Sequence, residues 1–140
     1  MTSTRILLAL IAASFAVGAQ AEVVVIVSAK SPVASVTADQ VSQIYTGAST
    51  SLPGGGTATP LDREEGAAVR EEFNSKVVGK SSQQLKALWS RLIFSGKGTR
   101  PRQMASAAEM KKAVAADPNA IGFIEKSELD NTVKAVLEAK

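Results

Sequence analysis

Few residues in this chain are able to do chemistry, and most of those that are able lie close together. Cysteine and histidine are both absent, which removes the imidazole base, the thiol nucleophile and the soft-ligand zinc site. Carboxylates, lysine and arginine, hydroxyls and the single Tyr45 remain. Without the usual nucleophile and base pairs an enzyme is not expected, nor is a cofactor or a metal. The densest polar group is Asp62-Arg63-Glu64-Glu65-Gly66-Ala67-Ala68. Arg63 offers a planar fork of donors to an oxyanion, and Gly66-Ala67-Ala68 is bare enough to let one approach the backbone. A second reading pairs Arg63 with Glu64, Glu65 or Asp62 at the surface, where such pairs contribute little. Local residues leave both open. The two glutamates, placed at a helix start, also complement the macrodipole with no ligand at all. Another candidate, Pro53-Gly54-Gly55-Gly56, lacks the lysine and hydroxyl that a phosphate loop needs at fixed offsets, so it reads as a plain surface loop.

The elements around the Arg63 segment are set by periodicity and caps. Val23-Val24-Val25-Ile26-Val27 is a continuous β-branched run, as expected of a strand buried on both faces. Thr37-Ala38-Asp39-Gln40 has the form of a capping box opening a helix to about Thr46, with Val41, Ile44 and Tyr45 on one face and Gly47 as the left-handed stop. Residues 48–57 read as a loop, residues 57–61 as a short strand, and Asp62 to Gly66 as the lead into a helix through about Val77, with Val69, Phe73 and Val77 as its apolar stripe. Ser81-Ser82-Gln83-Gln84 starts a second capped helix. Its Leu85, Leu88, Trp89 and Leu92 keep the i, i+3, i+4, i+7 spacing closely, so Trp89 is expected in the core. Lys97 to Arg102 is a basic loop broken by glycine and proline, and Ser106-Ala107-Ala108-Glu109 opens a third capped helix ending near Asp117-Pro118. Ala120 to Ile124 reads as a strand whose Gly122 marks a close packing contact, while Val133 to Leu137 fits a strand or a short helix. Strands separated by helical stretches imply an α/β sandwich with a mainly parallel sheet, and ligands of such sheets favour the strand C-terminal ends, where the Arg63 segment lies.

Residues 1–21 read as a cleavable export signal. Arg5 supplies the positive charge, Ile6 to Val17 are apolar apart from Ser14, and Ala19-Gln20-Ala21 is a small-x-small cleavage site. The mature chain is then expected to start at Glu22 in the periplasm, with no membrane span, since the apolar run is shorter than the roughly 20 residues a span needs. Residues 22–140 suit a single domain whose stability comes from burial without disulfides. A formal net charge of +3 is too small to support a nucleic-acid partner.

Several motifs, taken in order, carry a resemblance: Thr37 to Gly47, then Thr59-Pro60-Leu61-Asp62-Arg63-Glu64-Glu65-Gly66 with Arg70 and Phe73, then Leu92 to Gly98, then Asn119-Ala120-Ile121-Gly122-Phe123. Over nearly the whole mature chain this resembles the periplasmic phosphate-binding proteins of ABC transporters. The resemblance implies a three-layer α/β sandwich, one lobe of the type II periplasmic-binding-protein fold. Full-length members look like two lobes closing over phosphate, and this chain resembles the second, without the hydroxyl-rich phosphate loop of the first. Where the family carries Arg-Ser-Asp-Gly-Ser-Gly-Thr, this chain has Arg63-Glu64-Glu65-Gly66-Ala67-Ala68-Val69. Arg63 and Gly66 match and Glu65 replaces the aspartate. Ala67 and Val69 lack the anion-binding hydroxyls, and Glu64 adds a negative charge beside the site.

The resemblance therefore implies a substrate-binding-like protein with at most weak affinity for phosphate or another oxyanion at Arg63, Glu65, Gly66, Ala67 and Ala68. The rival reading is a module that keeps the fold and binds a cell-envelope protein instead.

Overall fold

The computed structural model describes residues 22–139; the export-signal reading of residues 1–21 lies outside them. Among the described residues five strands form one sheet: β1 (Val23–Ser28), β2 (Thr59–Arg63), β3 (Arg102–Met104), β4 (Ala120–Glu125) and β5 (Val133–Ala139), in the spatial order β3-β2-β4-β1-β5. β2 lies parallel to both β3 and β4, whereas β1 is antiparallel to β4 and to β5. The sheet is thus mostly parallel, since β2, β3, β4 and β5 share one direction and β1 alone opposes them. All six residues of β1 are buried, as its unbroken apolar run requires.

Period-two alternation splits that run between two faces. Val23, Val25 and Val27, with Ile121 and Phe123 of β4, face a core capped by α1 (Ala38–Tyr45), α2 (Ala68–Phe73) and α3 (Ser82–Phe94). Val24 and Ile26, with Ala120 and Ile124, face Met110 and Val114 of α4 (Ala107–Ala116). Three helices on one face and one on the other make the three layers. On the larger face Phe73 and Phe123 stack with ring centroids 3.9 Å apart, and Tyr45 meets Phe73 edge-on at 4.7 Å. Gly122 belongs to the smaller face: a Cβ there would stand 2.5 Å from Met110 Sδ, so only glycine lets α4 close onto β4.

Both expected boxes at Thr37–Gln40 and Ser81–Gln84 close reciprocally. At Ser106 the hydroxyl accepts from the Glu109 N–H, but the Glu109 carboxylate reaches back to the Ala105 N–H, one residue beyond the cap. Gly47 and Gly96 end their helices at φ +79° and +72°. Three expectations shift. β2 runs two residues further than its apolar pattern suggests, so Asp62 and Arg63 are strand and the helix begins at Ala68. That helix changes after Phe73 into a π-helical turn, Asn74–Val78, in which the Asn74 carbonyl accepts from the Gly79 and Lys80 N–H groups. The end of the basic loop is regular structure, because Arg102–Met104 gain a ladder by lying beside Leu61–Arg63; three residues are too short for any periodic signal. The glycine-rich loop is pinned by buried Leu52 and by a bridge between Ser51 and Thr57. The last element, left open by periodicity, is the strand β5, because β1 offers it a free edge.

Candidate functional site

β2 ends at Arg63 and the chain then turns through Glu64 to Ala67 before α2 starts. Gly66 makes the turn at φ +87°, a region costly for any residue with a Cβ, and open space surrounds the position where one would stand. Ala67 occupies the helix cap with no side-chain oxygen to offer; its own N–H donates to the Glu64 carbonyl at 3.3 Å. Ala68 is exposed at the first helical position, and Glu65 is exposed and 4.0 Å from Lys86. The five sequence-predicted residues therefore do occupy one strand-to-helix turn.

The charge in that turn is already committed. Arg63 Nη2 and Nε donate to the two Glu64 carboxylate oxygens, each at 3.2 Å, and Nε also donates to the Met104 carbonyl at 3.2 Å. This is the bidentate fork that recognises an oxyanion, closed here on a neighbouring side chain. The same hydrogen bond holds the Glu64 carboxyl below the usual carboxylate range. Val69, aligned with a family hydroxyl, is 2% exposed and packs in the larger core with Phe73. Its side chain points away from solvent, so position 69 serves packing.

A second polar cluster lies beside this turn, and sequence periodicity and motifs bring together only part of it. Arg70 is only 6% exposed. Its Nη2 stands 3.5 Å from Asp62 Oδ2, while Nε and Nη1 are buried with no hydrogen-bonding partner among the described residues. Burial pushes the Asp62 carboxyl above its ordinary value, against the opposing pull of Arg70, the Arg63 N–H and Arg100. These groups border a cavity of about 20 Å³ with Lys86, Arg100 and Gln103 at its polar lining and Tyr45 and Trp89 as its walls. Trp89 is buried, its Nε1 donating to the Tyr45 carbonyl at 3.0 Å. The Tyr45 hydroxyl lies 2.7 Å from the Leu61 carbonyl and 3.1 Å from that of Ile121, and desolvation raises it well above the ordinary tyrosine value. Tyr45 is thus a strut between α1 and the sheet. The sequence signals for this cluster are slight: Asp62 and Arg70 fall within one motif of the resemblance, and Arg70 and Asn74, which also lines the cavity, form an i, i+4 pair beside the stripe Val69, Phe73, Val77; their meeting with Lys86 and Arg100 depends on how α3 and the basic loop pack.

No helix among the described residues is long and apolar enough to cross a membrane. No family model matches the chain, and no curated protein does. Solved structures do. A protein from Clostridium perfringens assigned as a phosphate ABC transporter substrate-binding protein, solved with phosphate bound, is 25% identical with a TM-score of 0.67, over 83% of this chain and 45% of that one. An ABC-type phosphate transport receptor from Vibrio cholerae is 23% identical with a TM-score of 0.64, over 84% and 46%. PstS from Borrelia burgdorferi is 13% identical with a TM-score of 0.59, over 83% and 47%. The chain spans about half the length of each, and over that half it is PstS-like, with the α/β fold of a lobe of the phosphate ABC transporter substrate-binding proteins.

Proposed function

We propose that this is a periplasmic, non-enzymatic, substrate-binding-like protein related to the phosphate ABC transporter binding proteins, and that it holds phosphate or another oxyanion only weakly at the turn from Arg63 to Ala68. The observation behind the weakness is the Arg63–Glu64 fork. For an oxyanion to use the guanidinium it must displace a carboxylate already bound at two 3.2 Å contacts, and neither Ala67 nor buried Val69 offers a hydroxyl in return. Each absent donor costs on the order of 1 to 3 kcal/mol at a desolvated anion site. The resulting affinity is no better than about millimolar, corresponding to some 4 kcal/mol.

Calorimetric titration of the mature protein with phosphate, sulfate and arsenate tests this. Glu64→Ser with Ala67→Ser releases the guanidinium and supplies a hydroxyl at the helix cap, so the double variant should bind phosphate at least tenfold tighter, about 1.4 kcal/mol. Arg63→Gln in that background should abolish the gain. Micromolar binding by the parent would refute the proposal, as would a double variant that binds no better.

One observation favours the envelope-protein reading. At the end of α3, Phe94 is 95% exposed and Ile93 46% exposed, and adjacent exposed apolar residues of this size suit a protein contact. Absence of oxyanion binding in both parent and double variant, with loss of envelope crosslinks in Phe94→Ser, would favour that reading.

A further inference from the structure

The guanidinium of Arg70 is the most deeply buried cation among the described residues, and two of its three nitrogens have no hydrogen-bonding partner there. Its nearest carboxylate oxygen, Asp62 Oδ2, is 3.5 Å from Nη2, too long for a charge-assisted hydrogen bond, and both other nitrogens are buried without an acceptor among the described residues. Natural interiors pair such groups, because a buried charge or donor left alone loses its hydration with nothing in exchange. The charges facing the cavity from every side are Arg70 on α2, Lys86 on α3, Arg100 on the loop before β3, and Asp62 on β2. Three cations oppose one carboxylate. Among the described residues Lys86 pairs only with the exposed Glu65, at 4.0 Å, an arrangement that contributes little. A water molecule would satisfy a donor but would leave the excess positive charge in place.

Size restricts what can balance it. A cavity of about 20 Å³ admits one water-sized body, whereas a tetrahedral oxyanion needs several such volumes. Buried Trp89, Leu85 and Tyr45 wall it, and the Trp89 ring lies 3.5 Å from the Cβ position of Gly98 in the basic loop. We infer that this cavity is a site for a single water-sized monovalent anion, chloride, which accepts from the buried Arg70 guanidinium while Lys86 and Arg100 supply positive charge at its mouth. The site is separate from the Arg63 turn and takes a different ligand. Bound there, the ion ties α2, α3 and the basic loop to the end of β2.

The single tryptophan of the chain forms a wall of the cavity, so its emission reports occupancy directly. The mature protein is prepared in sodium gluconate free of halide, and sodium chloride is titrated in at constant ionic strength while Trp89 emission and the melting temperature are followed. A saturable emission change with a rise in melting temperature is expected. Bromide should reproduce both effects, and phosphate and sulfate should not. Lys86 and Arg100 are exposed, so Lys86→Gln with Arg100→Gln should fold and weaken the chloride response at least tenfold; Arg70→Lys should weaken it further. Arg63→Gln separates the two sites, because it removes any phosphate response and leaves the chloride response intact. No saturable halide effect in the parent would mean that water suffices and would overturn the inference. So would an unchanged response in the Lys86, Arg100 double variant, or displacement of chloride by phosphate.

Discussion

Replacing Trp89 with alanine removes a side chain on which several elements converge. The indole is 9% exposed, its Nε1 donates to the Tyr45 carbonyl at 3.0 Å, and its ring stands 3.5 Å from the Cβ positions of both Gly47 and Gly98. An aromatic side chain of this kind buries roughly 200 Å², which at about 25 cal/mol per Å² sets an upper bound near 5 kcal/mol. The hydrogen bond adds about 1 kcal/mol because the Tyr45 carbonyl is left without its partner, while collapse of the neighbouring loop recovers part of the cavity cost. A loss of about 3 to 5 kcal/mol is the net expectation, a large share of the roughly 5 to 15 kcal/mol that holds a domain together. Trp89→Phe, which keeps most of the ring and loses the donor, should cost about 1 to 3 kcal/mol. Urea unfolding is followed by far-ultraviolet circular dichroism, since the variant no longer carries a tryptophan; the midpoint should fall with an unchanged slope. An alanine variant within about 1 kcal/mol of the parent would refute the packing argument, because a large side chain that is truly packed in the core cannot be removed at so small a cost.

At Gly122 an alanine Cβ would meet Met110 Sδ at 2.5 Å and Val114 Cγ2 at 3.1 Å, so Gly122→Ala should cost about 1 to 3 kcal/mol, and shortening Met110 to alanine in the same chain should make the two losses less than additive by denaturant titration. Asp130 accepts from Thr132 and from Lys111 Nζ at 3.0 Å, which lowers its pKa to about 2; because the folded value lies below the unfolded one, its stabilising contribution is present above about pH 4 and is lost as pH falls toward 2. Carboxyl NMR titration should show this depressed midpoint, and Thr132→Ala should return it toward the ordinary carboxylate range. Mass spectrometry of the periplasmic fraction should find the mature chain beginning at Glu22, and an intact Met1 on a membrane-bound species would overturn the export reading.

The strand β1, the three capped helices, the glycine stops at 47 and 96 and the core position of Trp89 were legible in the residues themselves, because each depends on interactions within one turn or one periodic segment. The close contact at Gly122 was legible too, since a glycine inside an apolar strand has few other uses. Tertiary structure decided the rest. β3 is a strand only because β2 supplies its hydrogen bonds, and β5 only because β1 presents an edge. Local residues leave Arg63 between an oxyanion and a neighbouring carboxylate; the fold settles its fork on Glu64 by anchoring Nε at the Met104 carbonyl, 41 residues away. Val69 matches a hydroxyl position in the sequence, yet the rotation of α2 turns it into the core. Arg70, Asp62, Lys86 and Arg100 are spread over four elements, and no spacing rule joins them, because their meeting is set by how a strand, two helices and a loop pack together rather than by any period along the chain.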